Sequence, residues 1–275
     1  MTNIPRAGVI GNPISQSLSP KLHSYWLNRY GIKGEYTALH VTEDQLETTL
    51  RDLPNQGFIG ANVTIPHKVS VMQFADKITD RATLIGAANT LIFKEDGRIF
   101  ADNTDGYGFM ANLRQGAPDW DPKAGPTAIF GAGGAARAII VALADAGVPE
   151  IILANRTRAK AEALRSDFGA RVRVVDWVQA DQMLGDANTV INTTSLGMVG
   201  AQDFKVSLDE LSPKAVVTDI VYNPLRTPFL IAAQERGCTT VDGLGMLLHQ
   251  GVPGFERWFG QRPEVDDDTR AAVLS

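Results

Sequence analysis

Hydrophobic positions along this chain fall into short runs separated by amphipathic stretches, the pattern of strands alternating with helices. Ala7-Gly8-Val9-Ile10-Gly11, Tyr36-Thr37-Ala38-Leu39-His40-Val41 and Phe58-Ile59-Gly60-Ala61-Asn62-Val63-Thr64 predict strands, with helices over 20–30 and 43–53 between them. Helices are also expected around 68–74 and 79–85, and a hairpin turning at Asp96-Gly97 joins Thr90–Phe93 to Ile99–Ala101. Later strands are predicted at Thr127–Phe130, Glu150–Ala154, Val172–Val175, Thr189–Asn192 and Val216–Val221, completing a doubly wound sheet. The apolar stretch Met246–Trp258 is helical in period, and the residues from Asp266 onward read as a solvated tail.

The fold class that follows is α/β with mostly parallel sheets. Gly116–Pro126 is crowded with Gly, Pro and Asp, and predicts a domain boundary. The expected domains are therefore 1–115 and 116–245, with 246–275 packing back onto the first.

Composition narrows the function classes. With 275 residues, 44% of them hydrophobic, the chain has enough apolar material for real cores. A formal net charge of −5 leaves no basic field for a nucleic-acid partner. No segment reaches the roughly 18 uninterrupted apolar residues of a membrane helix, and Met1-Thr2-Asn3-Ile4-Pro5-Arg6 carries no secretory stretch. Cys238, the single cysteine, excludes an internal disulfide, so a cytoplasmic protein is expected. The four histidines, His23, His40, His67 and His249, lack metal-ligand spacing, and no metal is expected.

One motif points to chemistry. Thr127-Ala128-Ile129-Phe130 opens into Gly131-Ala132-Gly133-Gly134-Ala135-Ala136, a strand, a glycine turn and a helix start in the order a dinucleotide site requires. Gly131 permits the tight turn, Gly133 lets the backbone approach a pyrophosphate, and the helix presents free N–H groups to it. The following strand ends in Asn155-Arg156-Thr157, with Arg158 and Lys160 beyond and no acid. An acid there holds a free ribose, whereas cations suit a 2′-phosphate, so NADP is expected over NAD. The same charges would also solvate an ordinary helix start.

Polar clusters follow other strands. Ser17-Leu18-Ser19-Pro20 puts two hydroxyls at a helix start, where they serve equally well as a cap. Lys68, after Asn62-Val63-Thr64-Ile65-Pro66-His67, opposes the dipole of the helix expected there. Asp105, in Asp102-Asn103-Thr104-Asp105-Gly106, is a suitable partner for it.

These clusters, with Gly11-Asn12-Pro13-Ile14, Gly86-Ala87-Ala88-Asn89-Thr90 and Gly243-Leu244-Gly245-Met246-Leu247-Leu248-His249-Gln250, resemble in order and spacing the motifs of the shikimate dehydrogenase family. The resemblance spans essentially the whole chain. It implies an N-terminal α/β substrate domain, a Rossmann-like NADP-binding domain and a cleft between them. The implied reaction is reversible reduction of 3-dehydroshikimate to shikimate, toward chorismate and the aromatic amino acids. Lys68 and Asp105 become the catalytic pair; Ser17 and Ser19 fall on the substrate carboxylate, Thr64, Asn89, Asp105 and Gln250 on its hydroxyls, with Tyr222 a further candidate. Gly131, Ala132, Gly133, Gly134, Ala135, Asn155, Arg156, Thr157, Lys160 and Gly243 fall on the cofactor and Thr193 near its nicotinamide side, while Ile220 and Met246 are candidates for the ring's face that core packing would explain equally well. Two departures stand out: Phe109 where a smaller residue is usual, and Gly251-Val252-Pro253-Gly254, expected to interrupt the last helix. A quinate/shikimate enzyme tolerant of NAD and a non-catalytic NADP-binding module are the competing readings, and a homodimer and a monomer both fit.

Overall fold

In the computed structural model, which describes residues 4–275, the chain divides into two compact units. One comprises the residues up to Gly108 together with Leu247–Ser275, the other Phe109–Met246. Met1, Thr2 and Asn3 of the amino-terminal stretch read above lie outside the described residues.

The first unit runs β1 (Arg6–Gly11), α1 (Ser19–Arg29), β2 (Glu35–His40), α2 (Leu46–Asp52), β3 (Phe58–Val63), β4 (Lys77–Ile78), α3 (Asp80–Ile85), β5 (Thr90–Phe93), β6 (Ile99–Asp102) and the start of α4 (Asp105–Gly116). Its sheet has the order β2-β1-β3-β5-β6-β4 and is mixed, because the hairpin makes β5 antiparallel to both its neighbours. Gly97 closes the hairpin turn at φ 82°, a left-handed conformation that favours glycine. Leu46, Leu50, Val71, Leu91 and Ile99 are among the residues filling the core that packs α2 against the sheet.

The second unit contains β7 (Thr127–Phe130), α5 (Gly134–Ala146), β8 (Ile151–Ala154), α6 (Arg158–Phe168), β9 (Val172–Val175), β10 (Thr189–Asn192), β11 (Val216–Asp219), α7 (Pro228–Glu235) and β12 (Thr239–Val241). All six strands are parallel in the order β12-β11-β10-β7-β8-β9, a Rossmann-like sheet. β7 and β8 are buried at every position, and the period of two shows in which core each side chain joins. Ile129, Ile151 and Leu153 join one core, while Ala128, Phe130, Ile152 and Ala154 join another, so both faces of the sheet are covered. Phe109 is buried in the first of these cores.

Two last helices follow, α8 (Leu244–Phe259) and α9 (Asp267–Leu274). Here the structure corrects three expectations. Pro253 does not interrupt α8, which continues through it. A Cβ on Gly251 would meet Leu22, His23 and Trp26 of α1 at 3.2–3.3 Å, and one on Gly254 would meet the Trp258 ring at 2.9 Å. These glycines serve close packing, and that packing outweighs the backbone hydrogen bond proline forfeits. The terminal residues are not a solvated tail: Asp266 caps α9 by accepting from the Thr269 amide at 2.9 Å, and Thr269 and Val273 are buried. Its acids are a helix N-terminal signal. Finally, the segment expected as a helix over 68–74 is a 3₁₀ stretch at Ser70–Phe74, and its valines disfavour a longer helix.

Candidate active site

In the first unit four polar side chains from distant parts of the chain converge. Lys68 stands in the turn after β3, Asn89 just before β5, Asp105 at the head of α4 and Gln250 on α8. Lys68 Nζ donates to Asp105 Oδ2 at 2.5 Å. Asn89 Nδ2 lies 2.9 Å from Asp105 Oδ1, 2.9 Å from Thr104 Oγ1 and 3.0 Å from Gln250 Oε1, three acceptors for two protons. Asn89 Oδ1 in turn accepts from the Thr104 amide at 2.8 Å, and the Thr104 hydroxyl donates to the Gln250 carbonyl at 2.8 Å. Lys68 keeps a 17% exposed side chain, so the buried pair still has an open side.

The supports are as specific as the cluster. Asn103 holds the turn ahead of α4, donating to the Ala87 carbonyl at 2.9 Å and accepting from the Asp105 amide at 3.0 Å. Behind it Asp102 is buried. Burial pushes its carboxyl up, but hydrogen bonds from Arg81 and Thr79 and the Arg81 charge outweigh this and hold it below its ordinary range. Arg257, on α8, adds a second ion pair to Asp102 at 2.9 Å. With the Trp258 indole donating to the Leu91 carbonyl at 2.9 Å, this pins α8, and with it Gln250, to the sheet.

Ser17 and Ser19 lie at the start of α1. Leu18 is its N-cap and offers no side-chain bond, while Ser17 Oγ accepts from the Ser19 amide at 3.3 Å. Ser19 is buried and hydrogen-bonds Tyr36, whose own hydroxyl donates to Asn62 Oδ1 at 2.6 Å; burial raises the Tyr36 phenol well above its ordinary value. Asn62 continues to the Asn89 carbonyl at 3.1 Å. A buried polar thread therefore joins Ser19 to Asn89; sequence reading missed Tyr36 and Asn62 as its parts, and Asn103 and Thr104 as supports of the cluster. Asn62 left a signal, an amide inside an otherwise apolar strand; Tyr36 left none, since an aromatic is ordinary in a strand. Thr64 packs against Gly11, where a Cβ would come within 2.5 Å of its methyl. His23 stacks on Tyr36 with ring centroids 3.9 Å apart, and burial pushes its pKa down to about 3.

The second unit carries the glycine turn. Gly131 has φ 106° and needs to be glycine. Gly133 does not: its φ is −93°, and a Cβ there would meet nothing within 4 Å. It caps α5, whose first turn holds no acid and no side-chain cap. Open space before uncapped N–H groups, including those of Gly134 and Ala135, fits a dinucleotide pyrophosphate. Past β8, Asn155 donates to the Thr157 carbonyl at 2.8 Å, and exposed Arg156 contacts neutral Gln202 at 3.0 Å. Arg158, by contrast, is bound to Asp176 and Glu162, while Lys160 is exposed. Thr193 donates to the Phe130 carbonyl at 2.7 Å, and Gly243 packs so tightly on the Ile220 carbonyl that a Cβ would lie 2.5 Å from it. Met246 is part of the core, with Ile220 packed against it; Tyr222 is half-buried after β11. Burial raises the pKa of Asp219 to about 6, against hydrogen bonds from Val221, Thr227 and Asn192.

Three family models match this chain: the shikimate dehydrogenase substrate binding domain over residues 9–91, shikimate / quinate 5-dehydrogenase over 121–222, and the shikimate 5′-dehydrogenase C-terminal domain over 243–273. Shikimate dehydrogenase (NADP(+)) of Cereibacter sphaeroides is 67% identical over 272 residues, 99% of this chain and 98% of its own. The structure of shikimate 5-dehydrogenase from Thermus thermophilus in complex with NADP(H) and shikimate superposes with a TM-score of 0.86 at 33% identity, covering 98% of each chain. Quinate dehydrogenase from Corynebacterium glutamicum in complex with NAD gives a TM-score of 0.88 at 29% identity, again over 98% of each chain.

Proposed function

We propose, from the premise that the chain belongs to the shikimate dehydrogenase family, that it catalyses the NADP-linked reversible reduction of 3-dehydroshikimate to shikimate, in aromatic amino acid biosynthesis. The observation that carries the residue assignment is the Lys68–Asp105 pair within the Asn89 and Gln250 cluster. The first unit is the substrate domain and the second the NADP domain.

When bound, NADPH supplies the hydride that reaches the carbonyl carbon. Negative charge then builds on the carbonyl oxygen, and Lys68 stabilises it and delivers the proton that makes the hydroxyl. Asp105, fixed at Oδ1 by Asn89, aims the ammonium and accepts from the neighbouring substrate hydroxyl. Ser17 and Ser19 bind the carboxylate, and Thr64, Asn89, Gln250 and Tyr222 orient the ring. The backbone from Gly131 to Ala135 receives the pyrophosphate; Asn155, Arg156, Thr157 and Lys160 surround the 2′-phosphate; Thr193, Ile220, Gly243 and Met246 border the nicotinamide. Free, reduced Cys238 supports a cytoplasmic setting, and no described helix is long and apolar enough to cross a membrane.

The test is an initial-rate assay by reduced-nicotinamide absorbance, pairing shikimate or quinate with NADP⁺ or NAD⁺. Fast reduction with shikimate and NADP⁺ alone is expected. Comparable rates with quinate or NAD⁺ would indicate the dual-specificity enzyme, and none at all a binding module.

A further inference from the structure

In a sheet of this order the dinucleotide lies across the strand ends beside β7, its first nucleotide toward β8 and its second toward β10 and β11. Two loops leave β10 and β11 there, 193–199 with Thr193 and 220–227 with Ile220 and Tyr222. Both loops are tied to one carboxylate. Asp219, fully buried, accepts at Oδ1 from Asn192 Nδ2 and from the Val221 amide, both at 3.0 Å, and at Oδ2 from the Thr227 hydroxyl at 2.8 Å. Asn192, equally buried, passes the link on: its Oδ1 accepts from the Thr194 amide at 3.0 Å and hydroxyl at 2.7 Å, and its Nδ2 also donates to the Leu196 carbonyl at 3.2 Å.

Among the described residues no Lys or Arg forms an ion pair with Asp219. A buried carboxylate without a countercharge costs stability, and a core needing only packing would do better with an apolar side chain. What this arrangement supplies is geometry. Each of its hydrogen bonds fixes the backbone or a side chain of one of the two loops, and Asn192 couples them.

We propose that Asp219 is a positioning residue for the nicotinamide half of the cofactor: through Asn192, Val221 and Thr227 it locks the loops 193–199 and 220–227 into the one arrangement that receives the ring. The inference rests on the NADP reading of the second unit. It assigns to Asp219 no contact with the cofactor or the substrate.

The experiment is calorimetric titration of the full chain with NADP⁺ and with 2′,5′-ADP, which keeps the 2′-phosphate and adenosine but lacks the nicotinamide half. Asp219→Ala is expected to weaken NADP⁺ at least tenfold while 2′,5′-ADP stays within twofold. Asp219→Asn should restore NADP⁺ to within threefold of the original chain, since the amide oxygen keeps the Oδ1 bonds and the Thr227 hydroxyl can turn to accept from the new amide nitrogen. Because Asp219→Ala strands three buried donors, Asn192→Ala, which leaves the Val221 and Thr227 bonds to Asp219 in place and removes those that tie the 193–199 loop to it, is measured beside it with the same expectation. Equal weakening of both ligands would mean a generally loosened fold and overturn the proposal, as would unchanged NADP⁺ affinity in both alanine variants. An unaltered chain that binds neither ligand would instead overturn the NADP reading, and the proposal with it.

Discussion

Replacing Lys68 by Met separates the chemistry of the polar cluster from its contribution to folding. The ammonium sits 2.5 Å from Asp105 Oδ2, and the Asp105 side chain is only 3% exposed. Met fills a similar volume but leaves the carboxylate with Asn89 at Oδ1 and nothing charged at Oδ2. Stranding a fully buried charge costs about 3–5 kcal/mol; Lys68 keeps 17% exposure, so water reaches the gap and about 1–3 kcal/mol is the better figure. Lys68→Met/Asp105→Asn removes the stranded charge and should recover most of that loss. Turnover follows a different course. On the proposed assignment Lys68 stabilises and protonates the developing oxyanion, and its loss should cost about 10²-fold or more, about 3 kcal/mol of barrier, whether or not Asp105 is still charged. Urea unfolding and steady-state kinetics on the two variants decide the matter: both should be at least 100-fold slower, with NADP⁺ affinity intact and only the single variant markedly less stable. Turnover that returns with stability in the double variant, or that falls less than threefold in Lys68→Met, would refute the assignment.

Three further outcomes follow from the geometry. If Arg156 meets the 2′-phosphate as proposed, Arg156→Asp replaces that charge-assisted contact with repulsion, so NADP⁺ affinity should fall by about 10- to 100-fold while NAD⁺ affinity stays within threefold, read by calorimetry. Gly133→Ser should leave Tm within about two degrees, because φ of −93° suits serine, the space is open and a hydroxyl can cap α5, yet NADP⁺ affinity should drop at least tenfold as the side chain fills the pyrophosphate position. An equal fall in Tm would make Gly133 a merely structural glycine. His23, neutral in the fold with a pKa of about 3 and near 6.5 when unfolded, contributes stability above pH 6.5 that is lost as pH falls toward 3. Between pH 7 and pH 5 the loss should be about 2 kcal/mol, and His23→Phe should flatten that part of the curve; an unchanged slope would remove His23 as its source.

Much of the architecture was legible because it is written locally. β7 and β8 stand out as short apolar runs, buried on both faces of the sheet, and the Asp96-Gly97 turn announces the hairpin. The partnership of Lys68 with Asp105 could be suspected because both follow strand ends. What could not be read depends on contacts distant in sequence. Gln250 meets Asn89 across 161 residues and Trp258 meets Leu91 across 167, and no local pattern encodes either. Gly251 and Gly254 look like helix breakers until α1 and the Trp258 ring are seen against them. Asp266-Asp267-Asp268 looks like a solvated charge run until the cap on Thr269 is seen, and Arg29 from α1 completes it with an ion pair at 2.8 Å. Tyr36 and Asn62 were opaque for a related reason: a side chain that positions another is chosen for its place in a network, and strands tolerate both residue types without one.

The most direct measurement is a crystal structure of the chain with shikimate and NADP⁺ bound. Shikimate is expected with a ring hydroxyl within hydrogen-bond distance of Lys68 Nζ and Asp105, its remaining hydroxyls on Asn89 and Gln250, and its carboxylate on Ser17 and Ser19. Shikimate bound elsewhere, or turned so that its carboxylate meets Lys68, would contradict the assignment of this cluster as the catalytic site.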